Sequence, residues 1–128
     1  MEAGAKGARS AHGRTIGVTC TLFVRSPNEW NDETVLTQSL EERLMTLVAR
    51  GDGFVVLPGG TGTLLELAYI LEAMNKEFID RRPIVLYGDF WTPVLEPLKK
   101  EMKEEGLGKI GEVLHVVSTT ADLVKKLQ

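Results

Sequence analysis

Hydrophobic residues follow two patterns along this chain, and the two patterns alternate. Short segments rich in β-branched and apolar residues occur at 15–22, 54–57, 82–88 and 112–118. Runs of this length without regular polar alternation are typical of strands buried in a parallel sheet. Between them, apolar residues recur every three or four positions, which is the spacing of an amphipathic helix. The pattern therefore predicts strands that alternate with helices.

Cap and turn residues bound the predicted helices. Gly13 is expected at the C′ position of the first helix, and Gly51 and Gly106 are expected to end two others. Thr92 and Pro93 have the residue types that open a helix. The predicted helices cover about 1–11, 33–50, 63–75, 92–105, and 119 or 120 to the end of the chain, with a loop at 25–32.

The resulting order, α-β-α-β-α-β-α-β-α, predicts an α/β fold. Strands and helices that alternate in this way form a Rossmann-like, doubly wound parallel sheet with helices on both faces. The length of 128 residues is that of one domain, so we treat residues 1–128 as a single domain. In sheets of this kind, ligands bind beyond the carboxyl ends of the strands.

Charge and cysteine content narrow the range of partners. The net charge is −3, and no Lys/Arg cluster is longer than two residues, which argues against a surface that binds duplex nucleic acid. The single cysteine, Cys20, excludes an internal disulfide and a cysteine-rich metal site, and is consistent with a reducing cytosol. No apolar run approaches the roughly 18–20 residues of a spanning helix. We expect a cytoplasmic protein with no metal, no cofactor and no nucleic-acid or membrane partner.

The most informative stretch is Phe54–Glu66, in which an apolar strand stops at Pro58 and helix-forming residues resume after three glycines. Glycines let backbone N–H groups approach a ligand, and the first turn of a helix adds unpaired donors, so a phosphate is a suitable ligand. The predicted phosphate- or nucleotide-binding residues are Gly59, Gly60, Thr61, Gly62 and Thr63. The alternative is a tight strand–helix turn without a ligand, since the spacing is neither that of a P-loop nor GxGxxG.

The residues Pro58–Glu66 resemble the PGGxGTxxE signature of the LONELY GUY family, the cytokinin riboside 5′-monophosphate phosphoribohydrolases and related nucleotide nucleosidases. Arg43 lies fifteen residues before Pro58, where this family has its catalytic arginine, and Glu66 matches the catalytic glutamate. One departure is Leu44, because the family often has lysine after the arginine. The resemblance implies a nucleotide-binding domain that acts as a homodimer on a nucleoside 5′-monophosphate.

The implied reaction splits the N-glycosidic bond to give a free base and ribose 5-phosphate. Positive charge builds on the ribose as the base leaves, as in glycoside hydrolysis, so a nearby carboxylate is useful. In this reading Glu66 stabilises the sugar or orients a water, Arg43 stabilises charge on the departing base, and Gly59–Thr63 hold the 5′-phosphate. Asp89, Phe90 and Trp91 follow a predicted strand and are candidates to line a base pocket, although Trp91 can instead cover the core.

Several alternatives remain open from the sequence alone. Thr63 and Glu66 also have the spacing of a helix capping box, and Arg43 can be a flank residue beside the apolar stripe of its helix. A different class of function is a non-catalytic protein that carries a nucleotide or a molybdenum cofactor. Amino-acid decarboxylation is disfavoured because no lysine lies on 58–66 or at the carboxyl end of a predicted strand.

The resemblance to the family also bears on the amino-terminal end of the sequence. Similar family members begin with a strand, a helix and a second strand that leads to a glycine-rich turn, and this sequence begins after that turn. We therefore expect residues 1–128 to represent the carboxyl-terminal portion of a longer family member. The alternative is a short chain whose sheet lacks its first two strands and exposes a strand edge.

Overall fold

A computed structural model describes residues 2–23, 26, 28–104 and 111–128. The described chain divides into two compact units, residues 1–50 (the first unit) and residues 51–128 (the second unit). Helices and strands follow in the order α1 Glu2–Ser10, β1 Ile16–Cys20, β2 Glu33–Thr37, α2 Leu40–Arg50, β3 Phe54–Val56, α3 Thr61–Asn75, β4 Ile84–Tyr87, α4 Thr92–Glu104, β5 Leu114–Val117 and α5 Thr120–Leu127.

The second unit is built on a three-stranded parallel sheet with the order β3-β4-β5. Its central strand is the most deeply buried part, since Ile84, Val85 and Leu86 are each 0% exposed. This explains why the strand reads as a continuous apolar run: both of its faces are covered. Helices α3 and α4 add to the core, with buried side chains at Leu67, Ile70, Leu71, Ala73 and Met74 of α3 and Leu95 of α4.

The first unit contains a two-stranded parallel sheet of β1 and β2, in which Ile16 is paired with Glu33 and Cys20 with Thr37. The predicted helix over 33–50 is therefore wrong at its amino-terminal end, where residues 33–37 form a strand. Thr34, Val35 and Thr37 are β-branched, and pairing with β1 satisfies their backbone groups. The helix begins only after Ser39, whose hydroxyl accepts a hydrogen bond from the Glu42 N–H at 3.0 Å.

The end of α1 also differs from the prediction. The left-handed C′ position is occupied by His12, with φ of 60°, and Gly13 is one residue farther on. The His12 N–H donates to the Arg9 carbonyl and the Gly13 N–H to the Ala8 carbonyl, which is the hydrogen-bond pattern of a Schellman motif. The prediction of Gly13 at C′ is therefore wrong by one residue, because the closing hydrogen bonds place the turn at His12.

The remaining elements match the predicted ones to within a few residues. Strands alternate with helices except that β2 follows β1 directly, and the strands pair in parallel within each sheet, so the predicted α/β, Rossmann-like fold class is confirmed. The terminal helix α5 is capped by Thr119, whose hydroxyl accepts from the Asp122 N–H at 3.1 Å. Arg25 of the predicted loop and Gly106 at the predicted end of α4 lie outside the described residues. Within the described residues, no helix has the length and apolar character needed to cross a membrane.

Candidate active site

The predicted phosphate-binding residues lie together between β3 and α3 in the second unit. β3 ends at Val56, the chain turns through Pro58 and Gly59, and α3 begins at Thr61 with Gly60 as its N-cap. The first backbone hydrogen bond of the helix runs from the Leu64 N–H to the Gly60 carbonyl at 3.1 Å. Helix geometry therefore leaves the N–H groups at the first three helical positions, 61–63, without an acceptor in the helix. These donors are the feature of the turn that suits an anion.

The glycines of this turn have different surroundings. A Cβ added to Gly59 would lie 2.3 Å from the Thr63 Oγ1 and 3.0 Å from its Cβ, so the fold itself requires a small residue there. A Cβ added to Gly60 or Gly62 would meet no atom of the described residues within 4 Å. Gly60 has an extended backbone, with φ of −95° and ψ of −155°, so its conformation does not require glycine. Neither packing nor backbone conformation explains the last two glycines.

Glu66 lies at the sixth residue of α3 and is half-buried. The capping-box alternative placed Thr63 at the N-cap and Glu66 at the third helical position. In the structure the N-cap is Gly60, which has no side chain to accept a hydrogen bond, and Thr63 already lies inside the first turn. The capping-box alternative is therefore wrong, because the helix begins two residues earlier than its predicted start at Thr63. A catalytic role for Glu66 stays a prediction.

Arg43 lies on α2 in the first unit, where it is half-buried. Its Nε donates a hydrogen bond to the Val18 carbonyl of β1 at 3.1 Å, and its guanidinium carbon lies 5.6 Å from the centre of the Phe23 ring. Arg43 is therefore connected to β1, another element of the first unit. Gly59–Thr63 and Glu66 belong to the second unit, so a shared site with Arg43 stays a prediction.

The residues after β4 lie at the same edge of the sheet as the glycine turn. Trp91 is 4% exposed, and its indole Nε1 donates to the Leu57 carbonyl at 3.1 Å. Phe90 is 53% exposed, and its ring meets that of Trp91 edge to face, with the ring centres 4.9 Å apart. Of the two sequence alternatives for Trp91, covering the core is the one the structure shows. No local sequence pattern indicates the contact between Trp91 and Leu57, because the two residues are far apart in the chain.

Among the described residues, two titratable groups have shifted pKa values. Hydrogen bonds from the backbone and side chain of Thr15 lower the pKa of Asp32, and burial lowers the pKa of His115, with a smaller contribution from Lys126. Asp32 precedes β2 in the first unit, and His115 is within β5 in the second. Neither is part of the glycine turn. In the part of the chain that the structure describes, no cluster of three His, Cys, Asp or Glu residues could hold a metal ion.

Comparisons with known proteins agree with the motif. A family model described as "Possible lysine decarboxylase" matches residues 1–127. The chain is 41% identical over 69 residues to a cytokinin riboside 5′-monophosphate phosphoribohydrolase of Mycobacterium tuberculosis, which covers 52% of this chain and 37% of that protein. It is 33% identical over 101 residues to a pyrimidine/purine nucleotide 5′-monophosphate nucleosidase of Escherichia coli, which covers 69% of this chain and 22% of that protein.

A similar match is found to a cytokinin riboside 5′-monophosphate phosphoribohydrolase of Mycobacterium marinum, with 38% identity over 69 residues. The aligned segments span 37% of the mycobacterial proteins and 22% of the Escherichia coli protein, well under half of each. The family model, in contrast, covers nearly all of the chain. The chain therefore belongs to the family described as "Possible lysine decarboxylase", which is the LONELY GUY family that Pro58–Glu66 predicts.

Proposed function

We propose that the protein is a nucleoside 5′-monophosphate phosphoribohydrolase, a hydrolase that acts on an N-glycosyl bond and releases a free base and ribose 5-phosphate. The observation that carries this proposal is the glycine turn. Gly60 and Gly62 are glycines at positions where neither packing nor backbone conformation requires one. A ligand that approaches the backbone closely explains both, and a phosphate suits the adjacent helical N–H groups. The names of the mycobacterial and Escherichia coli relatives support the same reaction.

In the proposed reaction, the phosphate supplies remote binding energy that orients the reacting bond. The bond between C1′ and the base nitrogen breaks, water adds its oxygen to C1′, and the base leaves with a proton. Glu66 is on the same helix as the phosphate-binding donors, one turn farther along. Its carboxylate stabilises the positive charge on the ribose or orients the attacking water. Arg43 stabilises charge on the departing base.

The proposal is tested by incubating the purified protein, expressed from its complete native gene, with AMP, other nucleoside monophosphates and isopentenyladenosine monophosphate. We expect release of free base from at least one of them. Replacing Glu66 by Gln should lower the rate by about 10²–10⁴-fold if the carboxylate acts directly. The matched control is Glu72→Gln, because Glu72 is an exposed acid on the same helix that contacts Lys76 and Asn75.

The control variant should retain the activity of the unmodified protein. Absence of base release from every nucleotide would refute the proposal. If AMP binds tightly in a calorimeter and no base is released, the protein is instead a non-catalytic nucleotide-binding protein. Equal rates for Glu66→Gln and the unmodified protein would remove Glu66 from the mechanism.

The cellular context is part of the same proposal. A nucleoside monophosphate is a cytosolic metabolite, and a lone buried cysteine suits a reducing compartment, so we place the protein in the cytoplasm. We also propose a homodimer, as the family resemblance implies. Light scattering coupled to size exclusion tests the oligomeric state, and a mass equal to that of one subunit would contradict it.

A further inference from the structure

One hydrogen bond joins two turns at the carboxyl edge of the three-stranded sheet. The Trp91 Nε1 donates to the carbonyl oxygen of Leu57, which immediately precedes Pro58. Proline has no N–H, so the Leu57 carbonyl is the last backbone hydrogen-bonding group before the start of the proline–glycine turn. The position of this carbonyl therefore influences the direction in which the turn leaves the strand.

Leu57 lies one residue beyond β3, which ends at Val56. The Phe54 N–H donates to the Pro83 carbonyl across from β3, so the backbone groups of Phe54 face β4. β3 is paired with β4 as far as Val56, which lies opposite Leu86. β3 is also the outer strand of the three-stranded sheet in the described chain. The indole N–H of Trp91 supplies a donor to the Leu57 carbonyl.

Trp91 is fixed in its own position by several contacts. Its carbonyl accepts from the Leu95 N–H at 3.0 Å, the first hydrogen bond of α4, and its ring is buried beside Phe90. The preceding turn passes through Gly88, which has a left-handed backbone with φ of 83° and donates its N–H to the Val117 carbonyl at 2.7 Å. The turn after β4, which is hydrogen-bonded to the end of β5, thus holds the indole of Trp91 in place. The indole N–H in turn donates to the Leu57 carbonyl, just after the end of β3.

We propose that Trp91 is a positioning residue for the phosphate-binding turn, an inference that rests on the proposed function. Its N–H holds Leu57, and this sets where the N–H groups of Gly60–Thr63 point. Hydrogen bonds weaken steeply with poor angles, so a small displacement of the turn reduces the affinity for a phosphate. A ligand without a phosphate does not depend on these donors.

The test replaces Trp91 by Phe, which keeps a buried aromatic ring and removes the N–H. We expect the dissociation constant of AMP and the KM for the nucleotide to rise by roughly 3- to 10-fold, with kcat changed by less than about twofold. The dissociation constant of adenosine, which lacks the phosphate, should not change. The matched control is Ile84→Val, which trims a buried side chain at the opposite, amino-terminal end of β4.

A second variant keeps the test valid if Trp91→Phe fails to fold. In a Trp30→Phe background, Trp91 is the only tryptophan, and it can be replaced by 3-benzothienylalanine, in which sulfur takes the place of the indole N–H. The shape of the side chain is retained and only the donor is lost. The same selective loss of AMP affinity is expected relative to the Trp30→Phe protein.

The outcomes separate this inference from the proposed function. If the unmodified protein does not bind AMP, the proposed function fails and this inference fails with it. If the unmodified protein binds AMP and both variants bind it equally well, the function stands and the positioning role is refuted. If AMP and adenosine lose affinity equally, Trp91 is merely structural, and the positioning role is again refuted.

Discussion

The two units differ in the number of buried apolar side chains that pack around their candidate functional residues. The second unit carries the glycine turn and Glu66 beside a three-stranded sheet in which Ile84, Val85 and Leu86 of the central strand are fully buried. The first unit carries Arg43 on a helix beside a two-stranded sheet. The buried apolar side chains of the first unit, among the described residues, are Val18, Cys20, Leu44 and Val48.

This difference has a thermodynamic consequence. Apolar burial is the main source of stability, and the first unit has fewer buried apolar side chains among the described residues, so we expect it to open at a lower free-energy cost than the second. The proposed phosphate site is thus on the well-supported scaffold, and the proposed catalytic arginine is on the weakly supported one. We therefore expect Arg43 to be held less rigidly than the glycine turn.

The largest expected effect on the free energy of unfolding comes from replacing a buried leucine by alanine in the core of each unit. Leu67→Ala in α3 removes a side chain that is 1% exposed and should cost about 2–5 kcal/mol of unfolding free energy, because a cavity remains. Leu44→Ala in α2, where the side chain is 7% exposed, should fall at the low end of that range. Native-state hydrogen exchange of the β4 and β1 amides measures each unit separately.

In the unmodified protein, the β4 amides should exchange more slowly than those of β1. Equal protection of the two strands would contradict the expected difference in stability between the units. A larger loss of unfolding free energy for Leu44→Ala than for Leu67→Ala would contradict it as well.

Substitutions of glycines in the turn are expected to have an intermediate effect on stability. Gly59→Ala brings a Cβ against Thr63 and should cost about 1–3 kcal/mol of stability, as overpacking does. Gly62→Ala meets no described atom, and alanine in a helix is more favourable than glycine by about 1 kcal/mol, so stability should stay equal or rise. AMP affinity should nevertheless fall in Gly62→Ala.

Thermal unfolding and calorimetry on the same samples separate the two effects. A Gly62→Ala protein that binds AMP normally would mean that the open space at this glycine is not used by the nucleotide.

The smallest expected effect on stability comes from replacing Asp32 in the first unit. Its carboxylate accepts hydrogen bonds from the Thr15 N–H and hydroxyl, each at 2.8 Å, and these lower its pKa from the ordinary 3.8. A carboxyl group whose pKa is lower in the folded state stabilises the protein above its unfolded pKa, and this stabilisation is lost as the pH falls through the folded value. Asp32→Asn should therefore lower Tm slightly at neutral pH.

The Tm difference from the unmodified protein should shrink as the pH falls below 3.8, the ordinary pKa of the carboxyl group. Glu29→Gln, a nearby change at an exposed acid, is the control. A Tm difference for Asp32→Asn that is constant with pH would show that the carboxylate charge does not contribute.

The same contrast between the units appears in what the sequence predicts. The strand, turn and helix around Pro58–Glu66 could be predicted because each signal is local: an apolar run, a proline with glycines, then helix formers. β2 was missed because Leu36, Leu40 and Leu44 also have helical spacing, and only pairing with β1 makes residues 33–37 a strand. The local signal that could have located the boundary was Ser39 followed by Glu42, a capping pair.

In the candidate site too, local sequence patterns predict the residues but not their tertiary contacts. Residue types and spacing were enough to select Gly59–Thr63, Glu66 and Arg43, but not to assign the start of α3 to Thr61 or the Val18 carbonyl as a partner of Arg43. The Trp91–Leu57 hydrogen bond was also beyond sequence reasoning, since it depends on the sheet bringing two distant turns together. Contacts that depend on tertiary packing have no local sequence signature.

The burial of Cys20 gives the protein an internal reporter. It is the only cysteine in the chain, it lies at the end of β1, and it is 2% exposed. A thiol must reach solvent to react with a labelling reagent, so the rate of alkylation of the native protein measures how often its surroundings open. That rate can be followed by mass spectrometry during turnover, without an added probe and without altering the residues that bind the nucleotide.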